Sequence, residues 1–167
     1  MAPIIRLAAG STHSMLLTAD QQLWAMGQGS WGQLGDGTDA SRSTPIRVLD
    51  QVRDMALGAE HSLILRTDGS LWACGCNDQG QLGDGSERDA RVPVPVLDGV
   101  QAIAAGAAHS LALRSDGSLW VFGCNTWGQL SLGDEQARER PQRLMDGVRA
   151  IAGGEEHSLI VTEDGRL

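Results

Sequence analysis

The sequence predicts an all-β protein built from β-propeller blades, and three observations support this prediction. Histidine, glycine, aspartate, tryptophan and proline residues recur at a fixed interval of 48 positions. Within each interval, short stretches alternate between apolar and small or polar residues, which is the pattern of half-buried β-strands. An Asp-Gly pair between two of these stretches favours a tight hairpin turn. Four antiparallel strands repeated every ~40–50 residues are typical of a propeller blade.

The 48-residue period runs through the whole chain of 167 residues without an insertion or deletion. Its clearest markers are four histidines, each followed by serine, and three tryptophans: His13, His61, His109, His157, Trp24, Trp72 and Trp120. We therefore predict a single repeat domain, 1–167, with about three and a half blades. Its repeats are expected at 4–51, 52–99 and 100–147, with a partial repeat at 148–167.

The third repeat shows how each strand is predicted. Leu111 and Leu113 alternate with small or polar residues, which indicates a strand with one buried face. Pro141 marks a strand at the outer edge of the blade, because proline has no N–H to donate to a β-ladder. We name the four strands a to d in chain order. In this repeat we place strand a at 100–104, strand b at 109–114, the turn at 115–118, strand c at 119–122 and strand d near 141–144.

Composition narrows the function further. The chain has 13 Lys+Arg and 21 Asp+Glu residues and a net charge of −8, which disfavours nucleic acid as a partner. No apolar run reaches ~18 residues, so a transmembrane helix is not expected. The N-terminus does not resemble a signal peptide, and we expect a cytoplasmic protein. Lysine and tyrosine, which have A/T-rich codons, are absent; we interpret this as a GC-rich, bacterial genome.

The repeat unit has a recognisable pattern, Val-x-x-Ile-Ala-Ala-Gly-x-x-His-Ser-Leu-x-Leu-x-x-Asp-Gly-x-Leu-Trp-x-x-Gly-x-Asn-x-x-Gly-Gln-Leu-Gly. Residues 100–130 and 52–83 follow it closely, and residues 4–35 follow it with Gly29 where asparagine is usual. This unit resembles the repeat of the regulator of chromosome condensation family. The resemblance implies a seven-bladed β-propeller, relative to which three and a half blades are incomplete. Family members include a nucleotide exchange factor for the small GTPase Ran, ubiquitin-ligase modules and a bacterial β-lactamase inhibitor.

No catalytic, metal or cofactor site is predicted. Residues 27–32 match G-x-G-x-x-G, but no helix follows, as a dinucleotide site requires. Because Gly29 aligns with asparagine in the other repeats, we interpret this position as a turn residue in the left-handed conformation. One histidine per blade cannot converge on a metal ion, so the four repeat histidines are interpreted as structural residues that bond the next blade or their own loop. The three cysteines are interpreted as buried, reduced thiols: Cys74, Cys76 and Cys124.

One face of the disc is predicted to bind a partner. Antiparallel strand order places the a–b and c–d loops on the same face, and these loops differ most between repeats. Trp31 and Trp127 lie in c–d loops where the middle repeat has Gln79, so the fold does not require an indole there. Such residues can be anchors of an interface or can cover the neighbouring blade. The predicted contacts are Trp31, Trp127, Glu60, Asp78, Glu155 and Glu156. The tryptophans of strand c, in contrast, are expected to pack between blades.

These observations predict a non-catalytic scaffold module that binds another protein through the a–b/c–d loop face. One alternative is a guanine-nucleotide exchange factor for a small GTPase. The family's exchange factor acts through a wedge inserted in one blade, and three repeats of equal length leave no room for one. A second alternative is a truncated fragment with no independent function.

Three and a half blades cannot close a ring, and the open ends would expose apolar surface. We therefore predict that the chain associates with itself, or that further propeller blades complete it. Light scattering should then give a mass above that of the 17.7 kDa monomer. A monodisperse monomer would contradict self-association.

Overall fold

The computed structural model describes residues 1–167 as fourteen β-strands without a helix. It therefore has no helix long and apolar enough to cross a membrane. The strands are β1 Ile4–Ala9, β2 His13–Thr18, β3 Leu23–Gly27, β4 Arg42–Leu49, β5 Val52–Leu57, β6 His61–Arg66, β7 Leu71–Gly75, β8 Ala90–Leu97, β9 Val100–Ala105, β10 His109–Arg114, β11 Leu119–Gly123, β12 Arg138–Met145, β13 Val148–Gly153 and β14 Ser158–Thr162.

The strands form three four-stranded sheets and one two-stranded sheet, and every neighbouring pair is antiparallel. Within each four-stranded sheet the order follows the chain, for example β5-β6-β7-β8. Each sheet is a blade, and the blades do not close into a ring. The predicted fold class, an incomplete β-propeller of about three and a half blades, is confirmed.

The hydrophobic core lies between adjacent blades. The cluster between the first two blades joins Met15 and Leu17 of β2 to Ile64 of β6 and Cys74 of β7, all buried. Strands b and c supply most of these side chains because they are the inner strands of each sheet. Strand d is the edge strand of each four-stranded sheet, which explains why it tolerates proline.

Two of the three strand c tryptophans lie at these interfaces. Trp72 packs against the cluster between blades one and two, and Trp120 packs against the next one. The Trp72 Nε1 donates a hydrogen bond of 2.9 Å to Ser70, and the Arg66 guanidinium lies 5.6 Å from its ring centroid. Trp24, in contrast, has no hydrogen-bond partner for its buried Nε1.

A repeated polar relay joins adjacent blades. The Oγ of Ser62, in blade two, donates a 2.8 Å hydrogen bond to the carbonyl of Gln33 in blade one. Because that hydroxyl has one hydrogen, it must accept at 2.8 Å from the Nε2–H of His13. The same chain of donors is repeated by His61, Ser110 and the carbonyl of Gln81, and by His109, Ser158 and the carbonyl of Gln129.

The relay requires glycine beside each histidine ring. A Cβ on Gly58 would lie 2.2 Å from Cε1 of His61 and 2.7 Å from the carbonyl oxygen of Gly106 in the next blade. Backbone hydrogen bonds of 2.9 Å from Ala59 to Ala107, and from Ala107 to Glu155, connect the same a–b loops. The inner ends of the blades are therefore locked together by contacts too close for a side chain.

The relay histidines are held neutral. Burial, assisted by the neighbouring His13 and His109, lowers the pKa of His61 to about 3. Burial also lowers the pKa of His13 and of His109 to about 4. The Nδ1 atoms of all three are buried without a hydrogen-bond partner, so these rings offer neither a general acid nor a charged ligand near neutral pH. His157, next to the two-stranded fourth sheet, is exposed.

The c–d loop of blade two packs on strand c of blade three. Gly83 shows how tight this contact is, because its φ is +74° and a Cβ there would lie 2.7 Å from Cδ2 of Phe122. The equivalent residue in blade three is Ser131, which adopts a φ of 56°. The left-handed backbone conformation of Gly35 and Gly83 is therefore kept at this position although the residue type differs.

We expect the stability of the protein to fall between pH 7 and pH 5. Burial lowers the relay pKa values well below the ordinary histidine value of about 6.5, so the unfolded chain binds more protons in this range. The stabilisation is therefore complete above about pH 6.5 and is lost as the pH falls towards 4. Between pH 7 and pH 5, the decrease in the free energy of unfolding should be about 2 kcal/mol smaller in His61→Gln than in wild type. Urea unfolding at both pH values measures this decrease. Between pH 7 and pH 8, the free energy of unfolding should change with pH by the same amount in both proteins.

Equivalent glycine and serine positions should respond in opposite directions. Gly83→Ser should destabilise the protein by about 2–4 kcal/mol, because a β-carbon is unfavourable at a positive φ and would also collide with Phe122. Ser131→Gly should instead stabilise it by up to about 1 kcal/mol by removing the strain of a positive φ. Denaturant unfolding of both variants tests the pair. Equal effects would show that the Phe122 contact does not restrict position 83.

Candidate protein-binding face

Seven loops lie on one face of the disc, because strands a and c run towards it and strands b and d run away. They are residues 10–12, 28–41, 58–60, 76–89, 106–108, 124–137 and 154–156, which we call the loop face. The loop face carries eleven Asp and Glu residues and one arginine, Arg88. Its electrostatic potential is therefore negative.

The c–d loops have an internal scaffold that does not depend on the exposed side chains. The Gln33 Oε1 accepts a 2.9 Å hydrogen bond from the backbone N–H of Trp31, and Gln129 does the same for Trp127. In the middle blade, Gln81 accepts from the N–H of Gln79 at 2.8 Å. The backbone is therefore held in the same way whether the side chain is tryptophan or glutamine.

Buried asparagines complete this scaffold, and sequence reasoning missed their role. The Asn77 Oδ1 accepts from the backbone N–H of Leu82, and its Nδ2 donates to the carbonyls of Ser86 and Arg88. The interpretation of this position as a left-handed turn is wrong, because neither Asn77 nor Gly29 has a positive φ. At Gly29 the backbone of Ala40 passes so closely that a Cβ would lie 2.3 Å from its carbonyl oxygen.

The two loop tryptophans are exposed to different extents. Trp31 is 41% exposed and lines a groove of about 650 Å³ with Arg91 and Val92 of the next blade. Trp127 is 70% exposed and borders a shallower groove of about 470 Å³ formed within its own loop. Trp31 thus partly covers its neighbour, whereas Trp127 projects into solvent.

The predicted acidic contacts all lie on the loop face. Asp78, Glu155 and Glu156 are exposed and Glu60 is half-buried. Asp78 also accepts a 3.2 Å hydrogen bond from the Nε2 of Gln81. Glu155 and Glu156 lie on the last a–b loop, near the axis about which the blades are arranged. A contact with a partner stays a prediction for all six residues.

Other acidic residues of the loop face already have partners within the protein. Partial burial raises the pKa of Asp36, but hydrogen bonds from the Arg42 guanidinium and from the hydroxyl and backbone N–H of Thr38 outweigh it. The pKa of Asp36 therefore lies below its usual range. Arg138 and the Gln136 N–H lower the pKa of Asp134. These ion pairs connect the c–d loop to the start of strand d, so they stabilise the loop rather than leave charge available for a partner.

Of the three free cysteines, Cys74 and Cys76 are buried and Cys124 is only partly buried. Burial raises the pKa of Cys74 to about 12 and that of Cys76 to about 11, so neither is a thiolate near neutral pH. No group of three or more His, Cys, Asp or Glu side chains is placed to hold a metal ion. The face offers two indoles and a negative field, which suit recognition of another macromolecule.

Comparison with solved structures relates this geometry to known propellers. Prp20p of Saccharomyces cerevisiae, studied for its binding to Gsp1p and histones, superposes with a TM-score of 0.85 and 26% identity over 94% of this chain. Human WBSCR16 superposes with a TM-score of 0.85 and 27% identity over 95% of the chain. This chain spans only 43% and 44% of those two proteins.

Sequence comparison agrees with the structural match. The human E3 ubiquitin-protein ligase HERC2 is 36% identical over 45 residues, which are 27% of this chain and 1% of that protein. The family model described as "RCC1-like domain" matches residues 1–167. With the 48-residue repeat and the propeller sheets, this match shows that the chain belongs to the RCC1-like domain family.

Proposed function

We propose that the chain is a non-catalytic module that binds a partner protein through its loop face, in the cytoplasm. The observation that supports this most directly is the pair of exposed indoles, Trp31 and Trp127. A glutamine side chain accepts a hydrogen bond from the backbone N–H of each tryptophan, and the equivalent glutamine does the same for Gln79. The scaffold therefore does not account for the tryptophan side chains, whereas large aromatic residues are frequent anchors of protein interfaces.

Charge and the similar proteins support the same proposal. Negative potential across the loop face would favour a partner with a basic rim around an apolar pocket. Among similar structures, Prp20p was studied for binding to Gsp1p and histones, and yeast RCC1 was solved bound to Kap60. Because this chain spans less than half of those proteins, their partners are only examples of the protein ligands that such a face can take.

Guanine-nucleotide exchange on a small GTPase is a second candidate, favoured by the structural match to Prp20p. The three c–d loops have the same length and none carries an inserted wedge. Release of a fluorescent guanine nucleotide from a purified small GTPase distinguishes the candidates. If catalytic amounts of the protein accelerate nucleotide release, exchange activity is established. If the protein binds the GTPase without accelerating release, the proposal of a non-catalytic interaction module is supported.

Replacing both loop indoles should abolish partner binding without unfolding the protein. In Trp31→Ala/Trp127→Ala, partner recovered from a lysate of the source cell should fall at least tenfold, because interface tryptophans commonly contribute about 2 kcal/mol or more each. Quantitative mass spectrometry of the captured proteins measures the change. The control is Asp98→Ala, an exposed residue on the opposite face, which should capture as much partner as wild type.

The single variants make this experiment sharper. Trp127→Ala should leave the free energy of unfolding nearly unchanged, because that side chain is 70% exposed. A folded double variant that retains wild-type capture would overturn the assignment of the loop face. Capture of no specific protein by wild type would support the alternative of a fragment without independent function.

A further inference from the structure

The groove beside Trp31, of about 650 Å³, lies on the loop face at the boundary between blades one and two. We call it the Trp31 groove. Ser30 and Trp31 of the c–d loop of blade one line it together with Arg88, Arg91 and Val92 of blade two. Its walls therefore come from two neighbouring four-stranded sheets of this chain.

The next boundary, between blades two and three, has the same backbone contact but different side chains. The Gly85 N–H donates to the Glu139 carbonyl at 2.8 Å, just as the Gly37 N–H donates to the Arg91 carbonyl at 2.8 Å. Ser30, Trp31 and Val92 are replaced there by Asp78, Gln79 and Arg140. The first boundary therefore lacks a carboxylate that the second has, and it presents apolar side chains where the second has polar ones.

The carboxylate of blade two has a specific hydrogen-bond donor. The side-chain amide of Gln81 accepts at Oε1 from the backbone N–H of Gln79, at 2.8 Å, and donates from Nε2 to Oδ1 of Asp78, at 3.2 Å. Asp78 is exposed, whereas Gln81 is buried. An exposed carboxylate at this position can therefore reach the buried amide.

The equivalent amide of blade one has no acceptor. Gln33 has the same orientation, because its Oε1 accepts from the Trp31 N–H at 2.9 Å, so its Nε2 is directed at the place of Ser30. That Nε2 has no hydrogen-bond partner, although Gln33 is fully buried. A buried donor without an acceptor is unfavourable. Only an exposed hydrogen bond of 3.3 Å, from Gln28 to the Ser30 hydroxyl, needs to open for an acceptor to enter.

The charges in the groove favour an anionic acceptor. The exposed Arg88 guanidinium forms no ion pair, and Arg91 forms only an exposed one, with Asp39 at 2.9 Å. Asp84 and Asp89 already accept hydrogen bonds of 2.9 Å from backbone N–H groups of their own loop. The donors that remain available are two guanidinium groups, which bind carboxylates well.

Apolar surface lies beside these donors. Trp31 is 41% exposed, Val92 is 55% exposed and Val94 is half-buried. Pro93 and Pro95 alternate with these valines, and proline has no N–H to pair with an added strand. The groove is therefore suited to contacts with side chains rather than to addition of a strand.

We propose that the Trp31 groove binds a glutamate or aspartate side chain of the partner protein together with a neighbouring apolar side chain. The carboxylate takes the place that Asp78 has in blade two, where it accepts from Nε2 of Gln33 and lies near Arg88. The apolar side chain packs on Trp31 and Val92. This inference rests on the loop face being the partner-binding surface. Because that face is otherwise negative, one carboxylate in an otherwise basic partner surface would fix its orientation.

Short peptides test the site before the partner is identified. The probes are acetyl-Ala-Leu-Ala-Glu-Ala-amide and the reversed sequence, because side chains two residues apart share one face of an extended chain. In the control for each peptide, Gln replaces Glu. At least one glutamate peptide should bind about tenfold more tightly than its control, because hydrogen bonds to a charged group are the stronger ones.

NMR titration of isotope-labelled protein measures this binding and locates it. The signals of the Gln33 side-chain amide and of the Trp31 indole N–H should shift on addition of the glutamate peptide. The Gln81 side-chain amide is the internal control, because it is already bonded to Asp78 and should not shift.

Substitutions at Ser30 separate the missing acceptor from the space around it. Ser30→Asp gives blade one the carboxylate that blade two has, so the Gln33 amide should be shifted already in the free protein. The preference for the glutamate peptide should then be lost. Ser30→Ala supplies no acceptor and should keep the preference. Arg88→Gln should weaken binding of the glutamate peptide and leave binding of the glutamine peptide unchanged.

Several results would overturn the site. These are absence of peptide binding, equal binding of the glutamate and glutamine peptides, and a glutamate preference that survives Ser30→Asp. Sodium acetate that binds as tightly as the glutamate peptide would also overturn it, because the groove would then take a free anion and not a side chain of a partner.

Partner capture distinguishes this site from the loop face as a whole. Ser30→Asp should lower the amount of captured partner about tenfold, by the same loss of a charged hydrogen bond. If capture is lost in Trp31→Ala/Trp127→Ala but not in Ser30→Asp, the loop face is supported and the carboxylate site is wrong. If the peptides bind as expected but the tryptophan variant captures as much partner as wild type, the carboxylate site is supported and the loop face is not the partner surface.

Discussion

The hydrogen-bond relay from histidine to serine to carbonyl sets the conditions that the rest of the structure satisfies. One hydroxyl hydrogen fixes its direction, so His61 must donate to Ser110, and Ser110 must donate to the carbonyl of Gln81. A protonated imidazolium would bring charge into a site that burial makes unfavourable for it. The relay connects a b strand, the next b strand and a c–d loop, so it fixes how these three elements are placed relative to one another.

A rigid relay leaves the loop tips free to differ. The amide side chains of Gln33, Gln81 and Gln129 hold the c–d loops from inside, and the blade interfaces hold the strands. The loop backbone is therefore held in the same way whether the residue at the tip is tryptophan or glutamine. The proposed binding face follows from this separation, because residues that the scaffold does not need are available to a partner.

Sequence alone was sufficient for strand order, turns and the face on which the loops lie, because these depend on patterns within one repeat. Contacts between repeats were not predictable in the same way. The equivalence of Gly29 and Asn77 suggested a left-handed turn, whereas the structure has a buried amide bonded to Leu82 at Asn77 and a close Ala40 backbone at Gly29. Likewise, the difference between Gly83 and Ser131 has meaning only once Phe122 is seen against the first.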